Sequence, residues 1–301
     1  MHDQLAHNKR RSLIITVVFV VVIAVPVGAL LALIGVGPVA WLVGLLLAGA
    51  AFFLASMRST AVVLKLGRAV PADPETYARL HNVVQGLCVA SGLPKPGLYV
   101  IDDAAPNAFA AGRRPEHAVV AVTTGLLDAL NRVELEAVLA FELSQIKSGD
   151  TAPGTLAVTT VGFKVLLADL CVRGKWWNGG RLGRSDNKAG EAEYLGSIGV
   201  ALLALSPLLA KVLHLGLASD RVVLTDISAV EMTRFPPGLV DALEKLSLDS
   251  TVVHAGTRVA AHLWLAAPIA MADAEGAFAN RNRLFAVHPP LEERIAALRE
   301  R

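Results

Sequence analysis

The stretch Asn131–Asp150 reads NRVELEAVLAFELSQIKSGD, and its periodicity predicts one amphipathic helix with a carboxylate in the wrong place. At about 100° per residue, Leu135, Val138, Leu139, Leu143 and Ile146 share a face, and Glu142 falls in the middle of it. An ionised carboxylate buried without a partner costs several kcal/mol or takes up a proton. Glu142 therefore marks a site, the remnant of one, or a paired structural charge. The helix ends are also specified: Asn131 can cap the first turn, Glu134 can reach back to it as in a capping box, and Gly149 is placed to stop the helix. Phe141 and Gln145 lie one turn apart on the flank of the Glu142 stripe. That is the spacing two metal-binding histidines would need.

From Pro106 to Asp150 the text PNAFAAGRRPEHAVVAVTTGLLDALNRVELEAVLAFELSQIKSGD resembles the HtpX and CAAX-prenyl-protease family of membrane-embedded zinc metallopeptidases. Where that family carries H-E-x-x-H, this chain reads Phe141-Glu142-Leu143-Ser144-Gln145. The likeness continues in RVVLTDISAVEMTR, Arg221–Arg234, where the family's E-x-x-x-D reads Val222 to Asp226. It resumes in LFAVHPPLEERIAALR, Leu284–Arg299, similar to the family's C-terminal His-Pro-Pro helix. The resemblance implies an α+β, mostly helical integral membrane protein. It also implies a zincin-like metallopeptidase domain, with a small antiparallel or mixed sheet beside the motif helix.

The zinc ligands do not follow. A catalytic zinc needs three protein ligands and an open position for water. At the family's three ligand positions Phe141 and Val222 have no donor atom, and the amide of Gln145 replaces imidazole poorly. Glu142 keeps the family's general-base position, but a base without the metal has no water of lowered pKa to act on. Asp226 keeps the position of the aspartate that orients a zinc-bound histidine, and its client here is Phe141. No cofactor is expected for this chain, whereas its family uses zinc.

Three functions stay open. The first is a catalytically inactive member of the family that binds peptides, membrane-protein segments or an active paralogue at the bilayer. The second is an active zinc endopeptidase of membrane-protein quality control with replacement ligands, drawn for example from Glu142, Asp226, His214 or His288. The third is a scaffold without a peptide groove, in which Glu142 pairs with a buried arginine or with Lys164.

Composition agrees with a membrane location. The 301 residues are 54% hydrophobic with a mean hydropathy of +0.53, too apolar for an ordinary soluble protein. A net charge of +2 and the lack of a basic run interleaved with aromatics exclude a nucleic-acid partner. Cys88 and Cys171 form no CxxC pair, so neither a disulfide framework nor a cysteine zinc site is supported. Leu13 to Ile34 and Val39 to Met57 are uncharged, and each is long enough to cross a hydrocarbon core of roughly 30 Å. Lys9, Arg10 and Arg11 precede the pair and Arg58, Lys65 and Arg68 follow it, which places both ends in the cytoplasm. The expected location is thus the cytoplasmic membrane, multi-pass, with the peptidase-like domain facing the cytoplasm.

The remaining chain divides around this hairpin. Residues 1–12 form a cytoplasmic N-terminus, 13–57 the hairpin, 58–150 the first part of the peptidase-like domain with the motif helix at 131–150, and 218–301 its second part. Between them, 151–217 carries two further apolar runs, 155–172 and 195–217, joined by a basic linker that holds Trp176 and Trp177. The resemblance implies that both runs span. The basic linker would then lie outside, against the positive-inside rule, so re-entrant or interfacial segments remain the alternative. In the soluble part, Asp73 and Pro74 open a helix that ends at Gly92, and Gly97–Ile101, Pro106–Gly112 and His117–Thr123 read as strands. Zinc peptidases take an extended substrate on a sheet edge by backbone hydrogen bonds. Asn107, Ala108 and Phe109 match the family's edge segment and are the candidates for peptide contact. His254 and His262 could share a helix face, and His288 precedes two prolines; neither reading gives these histidines a catalytic role.

Overall fold

The computed structural model describes residues 37–156, 220–249, 263–266 and 289–300, with single residues and short groups between 10 and 35 and at 158, 251 and 253. It is mostly helical with one small mixed sheet. The chain divides into two compact units, one of residues 1–9, 60–155 and 217–301 and the other of residues 10–59 and 156–216.

In the apolar unit, α1 (Ala40–Met57) continues a short 3-10 turn, Gly37–Val39. The 21 residues Gly37–Met57 form the one helix among the described residues that is long and apolar enough to cross a membrane. The described residues between 13 and 32 are helical too, and Ile23 and Ala24 pack against Ala48. A Cβ on Gly44 would come within 2.9 Å of the Gly28 backbone nitrogen. Two glycines facing each other let these helix backbones approach to contact, as small residues do between membrane helices. The expected spans at 155–172 and 195–217, apart from Thr155, Leu156 and Val158, lie outside the described residues. So do Lys164, Trp176, Trp177, His214, His254, His262 and His288.

The second unit opens with α2 (Ser59–Leu66) and β1 (Val70–Pro71), followed by α3 (Ala78–Ser91). Asp73 does not begin α3. Its carboxylate accepts from the Thr76 amide at 2.8 Å and hydroxyl at 2.7 Å, so it closes a separate turn, and the helix starts four residues later than Pro74 suggests. Gly92 ends it in the left-handed conformation. Then come β2 (Gly97–Ile101), β3 (Ala108–Ala111) and β4 (Val119–Thr123). The sheet order is β1-β2-β4-β3, with β2 and β4 parallel and the outer pairs antiparallel. β3 is therefore an edge strand.

After α4 (Thr124–Ala129), α5 (Arg132–Ser148) is the central element. Asn131 accepts from the Val133 and Glu134 amides, and the Glu134 carboxylate accepts from the Asn131 amide at 2.8 Å, completing the capping box. At the other end Gly149 sits at φ 72°, a conformation glycine adopts without a Cβ clash. Against α5 pack α3, α6 (Asp220–Thr233), α7 (Pro236–Leu248) and β3. The expected amphipathic pattern is not what the structure shows: with elements packed all round α5, every residue from Ala137 to Ser144 is buried, not the leucine stripe alone. Lys245 of α7 ties in from the side with a 2.8 Å ion pair to Glu134, and α8 (Leu291–Arg299) packs on α6 and α7. The capping box anchors the helix on which this packing depends. Asn131→Ala should lower the unfolding free energy by about 1 kcal/mol, read from thermal melts in detergent.

Candidate functional site

Glu142 lies on the α5 face that meets the sheet and the core, so burial is imposed by its leucine neighbours rather than chosen by the carboxylate. It is completely buried. Among the described residues, no hydrogen bond of ordinary geometry reaches either oxygen. Burial pushes its carboxyl up to about 8, against weaker pulls from the Arg294 guanidinium and the Ala110 amide of β3. At neutral pH it therefore holds its proton by about ten to one. A neutral acid can donate a proton, but it serves poorly as a base until the pH exceeds its pKa.

The cation beside it belongs to Asp226. Arg294 of α8 donates from Nε to Oδ2 at 2.9 Å and from Nη2 to Oδ1 at 2.7 Å, with both side chains at most 1% exposed. Its third contact runs from Nη1 to the Leu265 carbonyl at 2.9 Å. Burial pushes the Asp226 carboxyl up and the guanidinium pulls it back. One short N–H···O bond to each oxygen is the geometry of an ionised, bidentate pair. The guanidinium carbon also stands 4.8 Å from the centre of the Phe141 ring, a cation–π contact strengthened by the burial of both groups. Asp226 thus reaches Phe141 through Arg294. In the scaffold alternative the buried arginine pairs with Glu142; its carboxylate partner is instead Asp226.

A zinc ion does not fit these donors. Phe141 offers a ring already faced by a guanidinium, Val222 is half-buried and packs against the core, and Gln145 is half-buried on the flank of α5. Both Asp226 oxygens are committed to Arg294, whose charge would repel a divalent cation. Among the described residues, no group of three His, Cys, Asp or Glu side chains could hold a metal ion.

Asn107, Ala108 and Phe109 lie on the edge beside α5, and they are covered. Phe109 bridges Trp264 antiparallel, the Leu265 amide donates to the Ala108 carbonyl at 2.8 Å, and the Asn107 side chain grips Ala266. Its Nδ2 donates to the Ala266 carbonyl at 2.9 Å, and its Oδ1 accepts from the Ala266 amide at 3.2 Å. Leu263–Ala266 therefore acts as a strap on β3. Sequence reasoning missed both this strap and Arg294. Arg294 carried a signal: it falls with Leu291, Ile295 and Leu298 on one helical face, an ion in an apolar stripe just as Glu142 is.

Two outcomes follow. A carboxyl whose folded pKa exceeds its unfolded value contributes stability fully below the unfolded value and loses it as pH rises through the folded one. Glu142→Gln should match the wild type near about pH 4 and exceed it by several kcal/mol near about pH 9, since each pH unit in between is worth about 1.4 kcal/mol; denaturation at the two pH values measures this. Removing one partner of the ion pair, Arg294→Met or Asp226→Leu, should cost about 3–5 kcal/mol, and the double variant less than the sum, because each single change strands a buried charge. A double-mutant cycle measures the difference.

Residues 74–301 match Peptidase family M48. A protein from Thermoanaerobacter pseudethanolicus named Protease HtpX homolog is 36% identical over 247 residues, covering 82% of this chain and 80% of its own. Proteins of the same name from Dictyoglomus thermophilum and Ligilactobacillus salivarius are 35% and 34% identical, covering 99% of this chain and 94% and 99% of theirs. With its motif helix, mixed sheet and buried glutamate in the matched region, the chain belongs to peptidase family M48 as an HtpX-like member.

Proposed function

We propose that this protein is a catalytically inactive M48 member. It keeps a zincin-like fold in the cytoplasmic membrane, with the peptidase-like unit in the cytoplasm, and acts by binding peptides or membrane-protein segments. The observation that carries this reading is the donor set. Two of the three family ligand positions, Phe141 and Val222, have no lone pair to offer, and Arg294 brings a fixed positive charge against the first of them. Hydrolysis of an amide at neutral pH needs an activated water and stabilisation of the developing oxyanion. Glu142 alone, protonated near neutrality, supplies neither.

Membrane anchoring rests on the Gly37–Met57 helix, on the helical residues packed against it through Gly28 and Gly44, and on the basic residues flanking the two runs. Multi-pass insertion with both hairpin ends inside follows from the positive-inside rule. The name Protease carried by the relatives and the retained Glu142 favour the second reading, an active peptidase with other ligands.

Metal content separates the two. Detergent-purified protein incubated with zinc and dialysed should hold none by mass spectrometry, while the Phe141→His, Gln145→His, Val222→Glu triple variant should hold about one per chain. Stoichiometric zinc in the wild type, with casein hydrolysis that is chelator-sensitive and lost in Glu142→Gln, would overturn the inactive reading.

A further inference from the structure

The β3 edge beside Glu142 is filled by the chain's own Leu263–Ala266. How this strap is held identifies what else fits there. Three of its contacts read backbone alone: the Ala108 carbonyl takes the Leu265 amide at 2.8 Å, Asn107 takes both polar groups of Ala266, and Arg294 takes the Leu265 carbonyl at 2.9 Å. Any extended polypeptide presents the same groups at the same spacing. Side-chain selectivity enters at Trp264, whose ring meets Phe109 edge to face with centroids 4.9 Å apart. Leu263, Trp264 and Leu265 are all buried, so a charged residue in their place would be desolvated without a partner.

The seat is incomplete in one respect. Among the described residues the buried indole N–H of Trp264 has no hydrogen-bond partner, and an unsatisfied buried donor weakens the strap's hold. From this geometry we infer that Leu263–Ala266 is an internal stand-in for the protein's ligand. The ligand is an extended, uncharged polypeptide segment with an aromatic residue at the Trp264 position, and it binds β3 by displacing the strap. The inference rests on the peptide-binding reading above and adds to it the class of segment and the cis competitor. Such a competitor lowers the apparent affinity by the fraction of molecules in which it is released.

The test uses full-length protein in detergent and a dansylated peptide carrying Leu-Trp-Leu-Ala between arginine-rich ends. Its control has glutamate in place of both leucines. Leu265→Pro removes the amide that bonds Ala108 and should tighten binding of the first peptide by about tenfold or more, leaving the control peptide unbound. Trp264→Ala addresses the same point without a destabilising proline: it empties the place against the Phe109 ring while leaving β3, Asn107 and Arg294 intact, and it should also tighten binding of the first peptide.

Hydrogen exchange supplies a direct readout: the Leu265 and Ala266 amides should lose protection when the peptide binds. Three results would overturn the inference. They are equal affinity in the wild type and in both Leu265→Pro and Trp264→Ala, retained protection of both amides in the peptide complex, and no binding by the wild type, Leu265→Pro or Trp264→Ala. Zinc found in the wild type would sink the inactive reading while leaving these results to be read as they stand.

Discussion

The Arg294–Asp226 pair is the interaction on which the site depends. One guanidinium joins the carboxylate of α6, the ring of Phe141 on α5 and the Leu265 carbonyl of the strap, from its own place on α8. Every one of these elements would otherwise present a buried polar group or an unfilled ring face to the others. Taking both ions out of water is costly. Their attraction repays it only with good geometry and further hydrogen bonds, and here a third guanidinium N–H goes to the strap. The pair therefore adds little net stability over an apolar replacement, but it fixes how α5, α6, α8 and the strap are registered.

That commitment explains the state of Glu142. Two carboxyls lie near one cation, and only Asp226 has the bidentate contact. Glu142 feels the guanidinium as a field and not as a partner, and desolvation outweighs the field. Neutralisation by a proton is the remaining way to hold a carboxyl among Leu139, Leu143 and Ile146. Among the described residues, no cation is aimed at Glu142 as Arg294 is aimed at Asp226. The chemistry thus follows from which acid the arginine faces.

Much of this arrangement was legible in the sequence. The Asn131 and Glu134 capping box and the stop at Gly149 are local, within one helix, and turn chemistry specifies them; periodicity marked Glu142 as buried but not that α5 is covered all round from Ala137 to Ser144. The three longer strands were legible for the same reason, because β-branched and small apolar residues between turn signals identify them. The start of α3 was not, because Asp73 caps a turn as readily as a helix and only the Thr76 contacts tell the two apart. Leu263–Ala266 was not either. A four-residue apolar segment has no period of its own, and its extended state is imposed by β3 and Asn107, 159 positions away. Arg294 was legible and unread, since its pairing with Asp226, 68 positions distant, can be inferred only if each buried ion is treated as a request for a partner.

Among the described residues, the departures from polar satisfaction lie on α5 and on the strap beside it. Among the described residues, the buried side-chain atoms without a hydrogen-bond partner are the two Glu142 oxygens, the Ser144 hydroxyl and the Trp264 indole nitrogen. Two of the three residues are on α5, and the third is on the strap paired to the strand that packs against α5. Elsewhere the unit is satisfied in detail: Thr123 caps α4 and bonds Asn107 across the sheet, and Thr155 accepts from the amide of Gly112. A packed core that met only stability demands would have replaced Glu142 with leucine and Trp264 with phenylalanine, each of which removes an unpaired polar group at similar volume. Polar groups kept unsatisfied against that gradient are expected where a site must remain open to another partner. The motif helix and the β3 edge are where this protein keeps them.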